Sequence, residues 1–384
     1  MSGLTVGDRA PWFTPATATR TTQSASDFRD QDFVMGGYRA VLFFFGSSRN
    51  PIVQVALKAF CAAQPQFAQQ GVHFFGISID PNDRSLTETI PPTDYFHWLW
   101  DFTGEISIRY GLCQMGQADQ GVLYDPTTFV LNENLQILNV FALETGRSYA
   151  QQVLQYLASL PTPEPPRQIT QQAPVLLIPQ VFPPDFCQFL IDRYETEGGI
   201  ASGFMQQSGD QTIVTLDPTV KRRRDWLIQD PTLIQQINLL LGRRIAPEIM
   251  KAFQFRVTHF ERYVVACYES TDQGFFRPHR DNTATGTVHR RFALTLNLNA
   301  GYDGGCLRFA EYGSDLYAPP AGSAAVFSCS LLHEATPVTQ GRRFVLLSFL
   351  YGDEDAQLRQ QTQAQIVRSG VVPQGVGNER IQPS

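Results

Sequence analysis

The chain has 384 residues, of which 43% are hydrophobic and 12% aromatic, and its formal net charge is −6. At roughly 100–200 residues a domain, this length predicts two or three domains with substantial buried cores. The acidic balance argues against a general nucleic-acid-binding surface, so we expect no nucleic-acid partner.

The beginning of the chain shows no targeting pattern. Residues 1–15 lack the basic-then-apolar order of a signal peptide. No stretch reaches about 18 uninterrupted apolar residues. We therefore expect neither export nor membrane association, and a cytoplasmic location.

The first 160 residues have the pattern of an α/β domain. The predicted elements are a strand at 40–45, a helix at about 52–70, strands at 72–79, 126–131 and 135–141, and a helix at about 147–159. A strand, a helix, a strand, a hairpin and a final helix predict a mixed central sheet.

This half resembles the thioredoxin-like and peroxiredoxin families (AhpC/TSA-type redoxins) over residues 1–160. Residues 41–48 (VLFFFGSS) match the strand that enters the active-site turn, and residues 125–129 (DPTTF) match the segment where these families have a cis-proline. The reactive thiol would lie near Asn50, but residues 49–52 read Arg-Asn-Pro-Ile. No thiolate can form there, so we expect a binding or assembly module without thiol activity.

The six cysteines give little sign of redox chemistry. They are scattered, with no C-x-x-C pair, which predicts neither a zinc site nor a disulfide framework. Cys61 lies in a predicted helix, where a small buried hydrophobe is its default interpretation. A thiol peroxidase that uses Cys61 stays open as an alternative.

A proline-rich segment separates the two halves. Residues 161–174 predict a semi-rigid linker. A second domain is expected over 175–354, and a polar tail over 355–384. Apolar side chains at helical spacing predict supporting helices after residue 182 and over 230–241.

Short strands dominate the rest of the second half. Residues 291–299 (RFALTLNLN) alternate, which predicts a strand with one apolar face and one face suited to a polar cavity. Further strands are expected at 306–311, 324–329 and 343–350. Together they predict a small antiparallel barrel or sandwich. His333 and Arg343 should lie on adjacent strands of one hairpin, with the cation deeper in the cavity.

The most informative stretch is residues 276–281, Phe-Arg-Pro-His-Arg-Asp. His279 and Asp281 are two positions apart, so on an extended strand both side chains leave the same face. His333 can complete a facial triad, the arrangement that leaves open positions on non-haem Fe(II). These three residues are the candidate metal ligands and the candidate catalytic group.

With Arg343 ten positions after His333, the second half resembles the Fe(II)- and 2-oxoglutarate-dependent oxygenases of the prolyl 4-hydroxylase-like type. The resemblance covers residues 175–352 and includes the Gly-Gly pair at 304–305. It implies a double-stranded β-helix. The fold class expected for the chain is an α/β thioredoxin-like domain plus a mainly-β double-stranded β-helix (jelly-roll) domain with supporting helices.

The same resemblance implies the cofactors and their residues. Fe(II) would be held by His279, Asp281 and His333, and 2-oxoglutarate would chelate the iron. Arg343 would bind the distal carboxylate of 2-oxoglutarate, and Tyr268 would add a hydrogen bond. Dioxygen is the second co-substrate, and ascorbate is a further candidate cofactor.

Several residues compete with these assignments. His289 is expected to be solvated or to face the substrate, and His259 to be a structural, hydrogen-bonded histidine. Arg342 should point to the opposite face from Arg343. The basic run 221–224 is expected in a solvated loop or at the start of a helix, with a basic lip that attracts an anionic substrate as the alternative. Tyr268 can equally be a core aromatic residue.

The function implied by the resemblance is hydroxylation of an unactivated C–H bond, coupled to decarboxylation of 2-oxoglutarate to succinate. Related halogenases have a small residue in place of Asp281, so its carboxylate favours hydroxylation. A peptidyl proline, a free amino acid and a small metabolite all remain open as substrates. The first domain is expected to dock a protein partner, and a homodimer is also open. The alternative is a partner-binding scaffold or sensor.

Overall fold

The computed structural model describes residues 3–13, 35–115, 122–144, 149–362, 364, 366–367 and 379–380. It divides into two compact units, residues 1–166 and 167–384. Most of the predicted polar tail at 355–384 lies outside the described residues. Among those that are described, no helix has both the length and the hydropathy needed to cross a membrane.

The first unit alternates strands and helices. Its strands are β1 (Arg39–Gly46), β2 (Val72–Ser78), β3 (Phe96–Trp100), β4 (Cys113–Met115), β5 (Val122–Tyr124), β6 (Thr127–Leu131) and β7 (Ile137–Ala142). Its helices are α1 (Pro51–Ala62), α2 (Gln64–Gln70), α3 (Leu86–Thr89), α4 (Glu105–Arg109) and α5 (Tyr149–Ser159).

A five-stranded mixed sheet in the order β3-β2-β1-β6-β7 forms the centre of this unit. Strands β1, β2 and β3 are parallel, and β6 and β7 are antiparallel to their neighbours. Successive side chains of a strand point to opposite faces. Val41, Phe43 and Phe45 therefore enter the core that contains α1, α2 and α5, while Leu42 and Phe44 enter the core on the other face. The central strand is buried on both sides.

Three details of the first unit differ from the sequence prediction. The single helix expected at 52–70 is two helices that break at Ala63. Strand β3, FHWLW, was missed because five residues are too short for a clear period. No peptide bond in the described residues is cis, so the cis-proline expected at Pro126 was wrong. Trans is the isomer that X–Pro bonds favour, by about 0.5–1 kcal/mol, unless the surroundings select cis.

The second unit is mainly β. Its strands are β8 (Val175–Ile178), β9 (Ile200–Ala201), β10 (Phe204–Ser208), β11 (Gln211–Thr215), β12 (Lys221–Arg222), β13 (Arg224–Leu227), β14 (His259–Phe260), β15 (Val264–Glu269), β16 (Phe275–His279), β17 (Phe292–Asn297), β18 (Asp303–Gly304), β19 (Leu307–Arg308), β20 (Leu316–Tyr317), β21 (Ala324–Ser328), β22 (His333–Ala335), β23 (Val338–Gln340), β24 (Arg342–Tyr351), β25 (Ile366–Val367) and β26 (Glu379–Arg380). Its helices are α6 (Pro184–Glu197), α7 (Pro231–Arg244), α8 (Ala246–Phe253) and α9 (Asp353–Thr362).

Two sheets of this unit pack against each other as a jelly roll. The larger, nine-stranded sheet runs β8-β21-β17-β24-β15-β13-β9, with β14 and β26 beside it, and the smaller runs β12-β16-β22-β19-β20. Between the sheets lies a small apolar cluster in which Val264 and Val345 of the larger sheet meet Phe276 and Ala335 of the smaller. This inner space is where a cavity can form.

Helices cover the outer face of the larger sheet. Strand β17 shows the division, because Leu294 and Leu296 join the core that also contains residues of α6, α7 and α8. Thr295 points the other way and lines the inner cavity. The predicted alternation of this strand is therefore confirmed. Helix α7 also begins as expected, since the Asp230 side chain accepts from the backbone N–H groups of Thr232 and Leu233.

One predicted pairing was wrong. His333 and Arg343 do not lie on adjacent strands of one hairpin, because β22 belongs to the smaller sheet and β24 to the larger one. Strand β23 intervenes and pairs with β18. In a two-sheet jelly roll, strands that are close in sequence can lie in opposite sheets, so the nine residues between His333 and Arg343 cross the barrel. The two residues therefore lie in different sheets.

Candidate metal centre

The three candidate metal ligands come together at the end of β16 and the start of β22. These strands pair antiparallel, and His279 is the direct partner of His333 in the ladder. Nε2 of His279 lies 3.5 Å from Oδ1 of Asp281, and Nε2 of His333 lies 3.4 Å from Oδ2. One ligand atom from each residue lies within 4.8 Å of the others, so the cluster can hold one metal ion. The donor set of two imidazoles and a carboxylate suits non-haem Fe(II).

Backbone carbonyls orient both imidazoles. Nδ1 of His279 lies 2.7 Å from the carbonyl oxygen of Arg277, and Nδ1 of His333 lies 3.0 Å from that of Leu331. Because a carbonyl only accepts, each Nδ1 carries the proton and each Nε2 keeps its lone pair for a metal. This is the usual outer arrangement around metal-ligating histidines.

The charges of the three groups favour metal binding. Burial alone would raise the pKa of Asp281, but His333 and His279 outweigh it and the pKa is lowered from its usual value. Burial lowers the pKa of His333, although Asp281 opposes that shift. At neutral pH the carboxylate is therefore ionised and the His333 imidazole is neutral, which are the protonation states of ligands.

A buried ionic group holds the loop after Asp281. Arg290 donates from Nη1 to the backbone carbonyl of Asp281 at 3.3 Å, and from Nε and Nη2 to Glu261 at 2.6 and 2.7 Å. His289 is 1% exposed, and its Nε2 lies 3.2 Å from Glu261. The prediction that His289 is solvated or faces the substrate was wrong, because its place in this buried group turns it inward. His259 lies 2.9 Å from the Thr258 hydroxyl, as expected of a structural histidine.

Arg343 is buried and has spare hydrogen-bonding capacity. Nη2 donates to Asn297 Oδ1 at 2.9 Å, whereas Nε is buried and has no partner. A Cβ on Gly305 would lie 2.8 Å from the Arg343 Cδ, so this glycine makes room for the side chain. A buried guanidinium with an unpaired N–H fits a carboxylate ligand such as that of 2-oxoglutarate. Arg342 pairs instead with Glu195 and Glu269, as strand alternation predicted.

Tyr268 connects Arg343 with the basic run of the sequence. It is the ladder partner of Arg343, and the guanidinium carbon lies 5.5 Å from the centre of its ring. Its hydroxyl accepts from Nη1 of Arg223 at 3.2 Å, and Arg223 is itself paired with Asp225. Lys221 is also buried. The solvated loop expected at 221–224 was therefore wrong for Lys221 and Arg223, because β12 and β13 belong to the two barrel sheets.

A cavity of about 710 Å³ lies between the sheets. Its lining includes His279, Asp281, His333 and Tyr268, whereas Arg343 stands beside Tyr268 and is not part of the lining. The lining also contains basic residues that were not predicted from the sequence, notably Arg262 and Arg290. Arg262 is a single arginine, and Arg290 precedes Arg291 at the edge of the alternating stretch 291–299, so no sequence signal distinguished either as a lining residue.

In the first unit, side-chain hydrogen bonds occupy the turn after β1, where a redoxin has its reactive thiol. Asn50 caps α1 by accepting from the Ile52 N–H at 3.0 Å. Asp80 accepts from the Ser47 hydroxyl at 2.7 Å and from Nε of Arg49 at 2.8 Å. These contacts complete the turn after β1.

Cys61 has the properties of a packed residue. It is half-buried in α1, and burial raises the pKa of its thiol to about 11. All the cysteines of the chain are free. A thiol that stays protonated at neutral pH is a poor nucleophile.

Comparisons with known proteins match each unit to a different family. The model of the AhpC/TSA family matches residues 6–140, and that of the 2OG-Fe(II) oxygenase superfamily matches residues 263–351. A PKHD-type hydroxylase of Shewanella oneidensis is 33% identical over 161 residues, which are 38% of this chain and 68% of the relative. Procollagen-lysine,2-oxoglutarate 5-dioxygenase 1 of Gallus gallus is 27% identical over 182 residues, 44% of this chain and 23% of the relative. The chain thus spans about a quarter of that larger protein.

Among solved structures, a prolyl-4-hydroxylase of Pseudomonas putida matches with a TM-score of 0.34 and 20% identity, covering 47% of this chain and 93% of that one. The jelly roll and its His-x-Asp…His cluster define the second unit as an enzyme domain of the dioxygenase type. The chain belongs to the 2OG-Fe(II) oxygenase superfamily, as a relative of the PKHD-type hydroxylases, and it also carries an AhpC/TSA-type redoxin unit without the active-site cysteines.

Proposed function

We propose that the second unit hydroxylates an unactivated C–H bond in a reaction that depends on Fe(II) and 2-oxoglutarate. In this proposal His279, Asp281 and His333 are the iron ligands. The observation that carries it is the convergence of their ligand atoms within 4.8 Å, with both Nδ1 atoms held by backbone carbonyls. Bound iron and 2-oxoglutarate supply the oxidising power for dioxygen chemistry.

The protein's own residues fix the geometry around that centre. The carbonyls of Arg277 and Leu331 hold the two imidazoles so that each Nε2 points to the shared metal position. Arg290 holds the backbone of Asp281 in place. Since Asp281 contributes a carboxylate where halogenases leave room for a halide, hydroxylation is the proposed outcome.

We assign co-substrate binding to Arg343 and Tyr268. The unpaired Nε of Arg343 is available to the distal carboxylate of 2-oxoglutarate. The Tyr268 hydroxyl already accepts a hydrogen bond from Arg223, so its own proton is free to be donated to a carboxylate oxygen. Asn297 fixes the guanidinium from the other side. Ascorbate enters the proposal as the reductant that keeps the iron ferrous.

The substrate and the partner are proposed more broadly. The relatives are named for hydroxylation of collagen lysine or as PKHD-type hydroxylases. For this chain a peptidyl proline, an amino acid and a small metabolite are the candidate substrates. The redoxin-like unit is proposed to dock a protein partner, because its polar turn at residues 47–52 holds no thiol.

The experiment that tests this function is anaerobic titration of the Fe(II)-loaded chain with 2-oxoglutarate, followed by the visible charge-transfer band and by succinate formation after oxygen is admitted. We expect a band in the parent and its loss in His279→Ala, with succinate formation reduced at least a hundredfold because an iron ligand is missing. His259→Ala is the matched control, since this imidazole lies outside the cluster. An iron-loaded parent that gives no band would contradict the proposal.

A further inference from the structure

The cavity beside the metal cluster contains two cations that lack a carboxylate partner. We infer that the substrate is a small carboxylic acid with an apolar body, and that Arg262 and Lys221 bind its carboxylate. This inference rests on the proposed function, since it assigns the substrate class of that same cavity. It concerns the primary substrate and not 2-oxoglutarate, for which Arg343 and Tyr268 are the proposed residues.

The cations of the cavity fall into two groups. The cationic side chains of the lining are Lys221, Arg223, Arg262, Arg280 and Arg290. Three of them have an acidic partner: Arg223 pairs with Asp225, Arg280 with Glu311, and Arg290 with Glu261.

The other two cations have no carboxylate of the described residues within salt-bridge distance, although Asp225 acts electrostatically on both. Arg262 makes no hydrogen bond or salt bridge with any residue that the structure describes. Lys221 donates from Nζ to the backbone carbonyl of Gly203 at 2.7 Å and lies 4.7 Å from the ring of Phe276, without a carboxylate in salt-bridge distance. The cavity therefore holds a guanidinium, and an ammonium group that burial disfavours, with no carboxylate in direct contact, which is unfavourable until an anion binds.

The surroundings make both charges unfavourable in the free protein. Burial lowers the pKa of Lys221 well below its usual range and the neighbouring Arg223 lowers it further, whereas Asp225 and Asp281 oppose the shift. Burial also lowers the pKa of Arg262, although Glu261 opposes the shift. An arginine remains protonated even so, which makes Arg262 the permanent cation of the pair. A bound carboxylate would compensate both groups at once.

This anion site is separate from the place proposed for 2-oxoglutarate. Arg262, Val264, Ala266 and Tyr268 alternate along the chain, and the last three belong to the inner apolar cluster of the barrel. Val264 and Tyr268 are four residues apart on β15, which is roughly 13 Å, and Arg262 precedes Val264, so the backbones of Arg262 and Tyr268 lie at different ends of this strand. A single carboxylate therefore cannot contact both Arg262 and Tyr268.

The wall between the two ends suits an apolar body. It contains Val264 of β15, Leu347 of β24 and Leu227 of β13, all of which line the cavity. The volume of about 710 Å³ also falls in the range of ~300–1,000 Å³ that small-molecule sites occupy. A carboxylate at one end and an apolar body along the wall together describe the expected substrate.

The connection to the metal cluster runs through Lys221. Its ammonium group lies over the ring of Phe276, and that ring stacks on the imidazole of His279 with 3.5 Å between the ring centres. A carboxylate at Lys221 would therefore lie one side chain away from a proposed iron ligand. The apolar body of the same molecule can then present a C–H bond to the metal.

The test is isothermal calorimetry on the full chain, loaded anaerobically with Fe(II) and saturating 2-oxoglutarate so that the co-substrate site is occupied. The probes are two acids with their primary amides, hexanoate with hexanamide and N-acetyl-L-leucine with N-acetyl-L-leucinamide. Hexyl phosphate tests for a phosphate, and an end-capped (Pro-Pro-Gly)₅ peptide tests for a neutral peptide. We expect each acid to bind at least tenfold more tightly than its amide, because a charge-assisted hydrogen bond is lost in the amide.

Variants assign the preference to residues. Arg262→Gln should remove most of the tenfold preference, Lys221→Met should reduce it, and Arg262→Lys should retain part of it. Arg222→Gln is the matched control: it removes a charge from the strand that holds Lys221, but Arg222 bonds to Pro218 and Asp272 and does not line the cavity. Its acid preference should equal that of the parent.

The inference is overturned if acids and amides bind equally, if only hexyl phosphate or the peptide binds, or if Arg262→Gln keeps the full preference. The acid and amide comparison in the parent needs no variant, so a misfolded variant leaves the test intact. Failure of the proposed function is seen separately as a missing charge-transfer band. A normal band without acid preference would reject only the substrate class.

Discussion

The redoxin-like unit and the oxygenase unit differ in how their buried polar groups are satisfied. At the turn where a redoxin carries its thiol, Asp83 accepts from the Ser48 backbone N–H, from the Ser48 hydroxyl and from the Ser78 hydroxyl. In the described residues of that unit, every buried side-chain nitrogen and oxygen has a hydrogen-bond partner. In the oxygenase unit Nε of Arg343 has none, and Arg262 makes no salt bridge with the described chain.

Satisfied polar groups are typical of a structural turn, whereas an unpaired buried donor is typical of a position that binds a ligand. A buried donor without a partner costs free energy, so folded proteins keep few of them. Where one persists at the edge of a cavity, a ligand that supplies the missing acceptor explains it. Each unit matches a family that carries out chemistry at the position in question. Among the described residues, only the oxygenase unit has buried side-chain atoms without a hydrogen-bond partner.

The largest effect on this comparison is expected from Arg343→Ala. It removes the unpaired donor, so the dissociation constant of 2-oxoglutarate should rise by roughly ten- to a hundredfold, which is the loss of a charge-assisted hydrogen bond. Iron binding should persist. The measurement is titration of the charge-transfer band at fixed iron. Arg342→Ala is the control, because its side chain pairs with Glu195 and should leave 2-oxoglutarate binding unchanged.

A smaller effect is expected from Tyr268→Phe. The hydroxyl is bonded to Arg223, and its proton is the group offered to the co-substrate. Its removal should weaken 2-oxoglutarate binding by about two- to tenfold, because one hydrogen bond is lost while the carboxylate keeps its charged partner Arg343. The same titration measures it. An unchanged affinity would assign Tyr268 to packing alone.

The third prediction concerns the satisfied turn of the first unit. Burial alone would raise the pKa of Asp80, but hydrogen bonds from Ser47, Asn82 and Arg49 lower it below its usual value. Because the folded state prefers the carboxylate, its stabilisation is complete above the unfolded pKa of about 3.9 and disappears as the pH falls through the folded value.

Asp80→Asn should therefore lower the free energy of unfolding of the first unit by about 1 kcal/mol at neutral pH. The difference in melting temperature between parent and variant should shrink as the pH drops below about 4. Thermal unfolding at several pH values measures this. Glu105→Gln, an exposed change on α4, should have little effect at any pH.

The smallest effect is expected from Cys61→Ser. With a thiol pKa of about 11, Cys61 holds almost no thiolate at neutral pH. Peroxide consumption by the parent should be at background, and the variant should match it, with 2-oxoglutarate turnover also unchanged. Peroxide turnover that disappears in the variant would restore the thiol peroxidase as an alternative.

The sequence predicted the parts of this site that depend on local spacing. His279 ends β16 and Asp281 follows two residues later in a turn, so their short spacing in the sequence was enough to place them together. The alternation of β17 was equally visible, because its apolar side chains face helices and its other side chains face the cavity. The missing cysteine at Asn50 needed only a comparison of residue types.

The remaining features depend on which strands pair. Lys221 and Arg223 turned inward because β12 and β13 join the two barrel sheets, and nothing in a run of basic residues indicates that pairing. His289 is drawn inside by Glu261, which lies far from it in sequence. The prediction that Arg343 lies on the strand next to that of His333 was wrong for the same reason. Tertiary pairing decides the direction of these side chains, and short strands carry little information about it.

The order of strands in the larger sheet, β8-β21-β17-β24-β15-β13-β9, has a consequence for how the oxygenase unit assembles. No two neighbours in that order are consecutive in the chain, so every pairing closes a long loop. High contact order of this kind makes folding slow, because chain entropy is lost before the contacts form. His279 and His333 also meet only when β16 and β22 pair. We therefore expect the metal site to form late, so that iron enters a barrel already closed and does not nucleate its folding.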